Sequence, residues 1–104
     1  MAGCAGWTGM VLLVAAGLGA PAGAADVAYG EYLAAECSTC HLRSGDFKGI
    51  PSIVGLPEAD FIAALKSYRE QSRANVVMQT IAKTLSDADM AALAAYYHRL
   101  GAKR

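Results

Sequence analysis

Cysteine is scarce in this chain: of 104 residues only Cys4, Cys37 and Cys40 carry a thiol, and only the last two lie beyond position 25. A zinc site would need a second Cys/His pair, which is missing, because the only histidines are His41 and His98. Charge of one sign is missing too. Nine basic and nine acidic side chains cancel, so no strongly basic face for nucleic acid is implied. No convincing alternating strand can be found, which removes the βαβ setting that a thioredoxin-like C-x-x-C would require. No internal repeat appears either.

The first 25 residues contain no Asp, Glu, Lys or Arg at all. Within them Val11 to Ala16 forms a short apolar core, followed by Gly17, Gly19 and Pro21 and then Ala22-Gly23-Ala24, an A-x-A pattern for signal peptidase. The run is shorter than the roughly 20 residues a spanning helix needs and is broken by glycines and Pro21. The sequence therefore predicts a signal peptide over 1–24, no stable membrane insertion after cleavage, and one domain over 25–104 in the bacterial periplasm.

What that domain does contain is Cys37-Ser38-Thr39-Cys40-His41. A C-x-x-C-H run reads as a site of covalent haem c attachment, because one turn of backbone lets two thiols reach the two vinyl groups of one porphyrin edge. His41 then lies under the ring and supplies an imidazole nitrogen to the iron. A domain of this size has a marginal core without a staple. With Cys37 and Cys40 consumed no disulfide remains, so one covalent haem supplies the missing apolar mass and the apo-chain is expected to fold poorly.

The rest reads as all-α, with three main helices. The first is expected over about Val27 to Cys37, with Tyr29, Leu33 and Cys37 on one face and Gly30 and Ala34 offering small surfaces for close approach. From Leu42 to Gly55, glycines and Pro51 punctuate a loop in which Ile50, Ile53 and Val54 are candidates to line the ring. The Pro51 carbonyl is a candidate acceptor for the outer N–H of His41, with a plain turn role as the alternative. The second helix should begin near Pro57, with Glu58 and Asp60 at its positive end and Phe61, Ile62, Leu65 and Tyr68 on its apolar face. Arg73 beyond it faces either water or a haem propionate. The last helix opens on Ser86 and Asp89, a capping box with Asp in place of Glu, and carries a stripe of Met90, Leu93, Tyr97 and Leu100.

For the sixth iron ligand the choice falls on Met78, the thioether at the centre of the loop-like stretch Ala74–Thr80. Met90 belongs to the packing stripe, and His98 sits where a solvated or dipole-stabilising imidazole is the commoner role.

Taken together, Gly30-x-x-Leu33, Cys37-x-x-Cys40-His41, Pro51 to Leu56, Met78-x-x-Ile81-Ala82 and Leu85 to Asp89 leading to Leu93-Ala94-Ala95-Tyr96-Tyr97 resemble the class I c-type cytochromes. The stretches Ile50 to Ile53 and Val77 to Lys83 look most like the cytochrome subunit of flavocytochrome c sulfide dehydrogenase and related one- and two-haem bacterial carriers. Leu42-Arg43 departs from the glycine common after the haem histidine in that group. The resemblance implies a small single-domain cytochrome c fold whose first and last helices cross near Gly30, Leu33, Leu93 and Tyr96. It also implies single-electron transfer, with electrons from sulfide collected by a separate flavoprotein subunit.

No side chain is expected to act as acid, base or nucleophile, so the chain is not read as an enzyme. One alternative is a haem enzyme or gas sensor in which Met78 is off the iron. Another is a freely diffusing carrier for a terminal oxidase or reductase, for which a ring of lysines would be expected in some systems. Here only Lys48, Lys66 and Lys83 precede Lys103.

Overall fold

A computed structural model describes residues 22–102; the expected leader lies almost wholly outside the described residues. Four helices follow one another: α1 (Ala22–Cys37), α2 (Glu58–Arg69), α3 (Val76–Ala82) and α4 (Asp87–Ala102). Among the described residues there is no strand, only an isolated antiparallel bridge between Phe47 and Ile50. The all-helical arrangement is consistent with a small class I cytochrome c fold.

Helix α1 starts five residues earlier than its apolar spacing suggests, because alanines before Val27 are strong helix formers. Removal of residues 1–24 would trim its first three residues. Of the expected Tyr29–Leu33–Cys37 row, Leu33 and Cys37 are half-buried against the core and Tyr29 is not. Gly30 and Ala34 are the buried positions, while Tyr29 remains 45% exposed. Gly30 shows why: a Cβ placed there would collide with the Ala92 carbonyl and come 2.8 Å from Tyr96 Cβ. The missing side chain is what lets α1 and α4 cross at contact distance.

The core lies between this crossing and α2. Met90, Leu93 and Tyr97 of α4 are its largest fully buried side chains, joined by Phe61 and Leu65 of α2 and Ala34 of α1. Tyr97 stacks on Phe61 at 5.6 Å between centroids and meets Tyr96 edge-on at 5.1 Å. Leu100, placed in the same stripe by its spacing, is half-buried against the cluster's margin.

The start of α4 follows the expected capping box. The Ser86 hydroxyl accepts from the Asp89 amide at 3.0 Å, and the Asp89 carboxylate accepts from the Ser86 amide at 2.9 Å. Pro57 sits one position ahead of α2 as its cap residue, its carbonyl accepting from the Phe61 amide at 3.0 Å. The far end of α2 closes with Gln71 in the left-handed region at φ 64°. Ser72 N–H reaches back to Ser67 O and Gln71 N–H to Tyr68 O, the bonding pattern of a Schellman turn.

The stretch Ala74–Thr80, expected as loop, is instead largely helix α3. Asn75 accounts for the difference: it is extended (φ 179°) and its side chain caps the first turn.

Candidate haem-attachment site

Cys37 closes α1, and the chain turns immediately. The amides of Cys40 and His41 both donate to the Cys37 carbonyl, at 3.2 and 2.8 Å, while the Thr39 hydroxyl holds the Glu36 carbonyl at 2.9 Å. This tight turn keeps both thiols at one end of α1. Neither cysteine is in a disulfide; Cys37 is half-buried against the core and Cys40 is exposed. Burial pushes the Cys37 thiol above its ordinary range, with the nearby Glu36 carboxylate adding to the shift.

His41 is half-buried, and its Nδ1 lies 2.7 Å from the Pro51 carbonyl oxygen. A carbonyl can only accept, so Nδ1 carries the proton and Nε2 keeps its lone pair for a metal. Loop 42–57 that supplies this carbonyl is itself fixed. Phe47 and Ile50 exchange two backbone hydrogen bonds of 2.9 Å across a turn with Lys48 and Gly49 at φ 51° and 82°. Asp46 accepts from the Ser52 amide at 3.1 Å, and the Gly55 amide donates to the Tyr97 carbonyl at 3.0 Å. Ile53 and Val54 pack against the core between these ties.

Met78 sits in the first turns of α3, half-buried against the same core that takes in Cys37. Its amide donates to Asn75 Oδ1 at 3.0 Å. On the other side of the turn, Gln79 Nε2 donates to the Arg73 carbonyl at 2.9 Å. The Arg73 guanidinium lies 5.1 Å over the Tyr68 ring, a cation–π contact. His98 is exposed and its Nδ1 lies 3.2 Å from the Leu56 carbonyl.

Three contributors were not legible as site residues. Asn75 carries a recognisable signal, an Asn opening a helix with its cap partner three residues on, but the polar run around it hides the helix. Tyr97 reads as core and is core, yet its buried hydroxyl has no partner of ordinary hydrogen-bond geometry among the described residues. Burial, with the Cys37 thiol as its strongest polar influence, pushes that phenol well above its ordinary range. The Ser52 hydroxyl, within the loop that holds His41, is likewise buried with no hydrogen-bond partner among the described residues.

This donor set fits a haem c: two unbridged thiols one turn apart, an imidazole whose outer nitrogen is engaged, and a thioether on a separate element of the same core. Among the described residues no group of three His, Cys, Asp or Glu comes together to hold a bare metal ion. No helix among them is long and apolar enough to cross a membrane.

No protein-family model matches the chain. It is 40% identical over 70 residues to the thiosulfate dehydrogenase electron acceptor of Thiomonas intermedia (strain K12), covering 64% of this chain and 32% of that protein. It is 30% identical over 95 residues to cytochrome c-552 of Acidithiobacillus ferridurans, covering 85% of this chain and 41% of that protein. The chain thus spans roughly a third to two fifths of the relatives it matches. These similarities support a small c-type cytochrome and electron transfer; the names do not extend to a sulfide dehydrogenase subunit.

Proposed function

We propose that this chain carries single electrons in the periplasm through one haem c attached at Cys37 and Cys40, with His41 and Met78 as axial ligands. The observation that carries the reading is the His41 Nδ1 to Pro51 carbonyl bond of 2.7 Å beside two unbridged thiols. It fixes the tautomer and aims the free nitrogen, the outer-shell orientation that metal-bound histidines commonly have. A haem so held supplies a one-electron iron couple, and Met/His ligation raises its potential. The chain's own residues hold and orient: Pro51 sets the imidazole, the turn after Cys37 sets the thiols, and the core packs against Cys37. No side chain need donate or abstract a proton.

The donor is a protein that oxidises inorganic sulfur. The resemblance at Ile50 to Ile53 and Val77 to Lys83 points to a sulfide-oxidising flavoprotein subunit, docked near Ser38 and Thr39, which are exposed. The name of the Thiomonas relative favours a second reading, in which the donor oxidises thiosulfate. Both keep the chain non-enzymatic by itself.

Mass spectrometry of the exported protein should find one added haem, a chain starting after Ala24, and no alkylatable thiol at Cys37 or Cys40. A colourless protein whose thiols alkylate freely would sink the reading. Stopped-flow mixing with a sulfide-oxidising flavoprotein and sulfide, and separately with a thiosulfate dehydrogenase and thiosulfate, then chooses the donor. If neither reduces the haem, the freely diffusing carrier for an oxidase or reductase takes over.

A further inference from the structure

Helix α3 is unusual in what holds it. At seven residues it is far too short to persist by its own backbone bonds. Its first two residues do not pack: Val76 and Val77 are 78% and 63% exposed. The first residue to touch the core is Met78, and the first fully buried one is Ala82. The leading turn is therefore fixed by polar contacts rather than by packing. Asn75 makes two of them, its Oδ1 accepting from the Met78 amide at 3.0 Å and its main-chain carbonyl from the Gln79 amide at 2.9 Å. Gln79 closes the other side through Nε2 to the Arg73 carbonyl at 2.9 Å.

We infer that Asn75 is the positioning residue for the Met78 sulfur: its side chain fixes the Met78 backbone in a turn that the exposed Val76 and Val77 do not hold by packing. The inference rests on the reading of Met78 as an iron ligand. Asn75 touches neither iron nor porphyrin in this role; it acts by fixing where the thioether starts from, so that the sulfur competes well against outside ligands. Without the cap, the Met78 amide is an open helix-terminal donor, the turn frays, and the thioether spends more time away from the metal.

The test is imidazole binding to the oxidised, haem-loaded protein, followed with the red-region iron–thioether band. Asn75→Ala should tighten apparent imidazole affinity about tenfold, the size expected from losing one helix cap, and Asn75→Ser, which caps again, should return to within about twofold of the parent. Gln79→Ala, which removes only the clasp on Arg73, should shift it a fewfold in the same direction. A merely structural cap would lower the unfolding midpoint and leave imidazole affinity where it was. Unchanged affinity in Asn75→Ala, with the thioether band intact in the parent, overturns the inference while leaving Met78 as ligand, whatever Gln79→Ala does. A parent protein with no thioether band, binding imidazole as tightly as Met78→Ala, overturns the ligand reading itself and this inference with it.

Discussion

The Nδ1 of His41 and the carbonyl oxygen of Pro51 are 2.7 Å apart across ten residues of chain. Because the acceptor is backbone, the bond depends on how loop 42–57 is held and not on the proline ring. In the reduced, diamagnetic protein the His41 ring N–H should therefore appear as a slowly exchanging proton. Exchange of that proton at the rate of a free imidazole would show that the bond is not made.

Met78→Ala should open the sixth position of the iron. The reduced protein would then bind carbon monoxide, and the potential would fall because a thioether that favours the ferrous state has gone. An unchanged spectrum and potential would mean that another group is the ligand, as in the enzyme or sensor alternative.

Gly30→Ala tests the helix crossing. The added methyl meets the Ala92 carbonyl and Tyr96 Cβ, both rigid, so α1 must move off α4. A loss of about 1–3 kcal/mol or more is expected from overpacking of this kind, read as a lowered urea midpoint. A midpoint matching the parent would show that the two helices do not cross at Gly30.

Acid should act through the start of α4. The Ser86 amide first, and then the Tyr29 hydroxyl at 2.8 Å, hold the Asp89 carboxyl below its usual range; Arg69 does the same for Asp87. A carboxyl lowered in the folded state contributes stability above its unfolded value, about 3.9, that is lost as pH falls through the lower folded value. Tyr29 runs the other way. Its phenol is raised by Asp89, so its share is present below the ordinary phenol range and lost above it. Unfolding midpoints measured from pH 6 down to pH 2 should fall less steeply for Asp89→Asn than for the parent.

Gln71→Gly should stabilise. Gln71 holds φ 64° at the end of α2, a conformation that an L side chain adopts at a cost and glycine does not. A gain of about 0.5–1 kcal/mol is expected in thermal or urea unfolding, allowing for glycine's greater freedom in the unfolded chain. A loss would mean that the Gln71 side chain has a role of its own.

The features legible in the sequence were those whose partners are near one another or whose chemistry is distinctive. Ser86 and Asp89 announce a helix start within four residues. Cys37, Cys40 and His41 stand out because so few such side chains exist. Gly30 and Ala34 read correctly as a close-approach surface, since small residues one turn apart have few other uses. Helix α3 was hidden because seven residues carry too little periodicity, and its cap is a single Asn in a polar run. The row Tyr29–Leu33–Cys37 packs at Leu33 and Cys37 but not at Tyr29, because spacing alone does not say which of two adjacent faces meets the neighbouring helix most closely. Here backbone proximity at Gly30 decided it, and Tyr29 was left at the rim to reach Asp89.

That rim has a consequence for motion. Helix ends ordinarily open first, but the leading turn of α4 is tied to α1 through Tyr29 and Asp89, and to α2 through Arg69, which meets Asp87 at 2.6 Å and the Leu85 carbonyl at 3.2 Å. The Arg69–Asp87 pair, exposed on its Asp87 side, is worth little alone. Converging on one turn, these contacts make three helices share a single opening event, so the amides of Asp89 and Met90 should exchange with solvent as slowly as those of mid-helix Leu93.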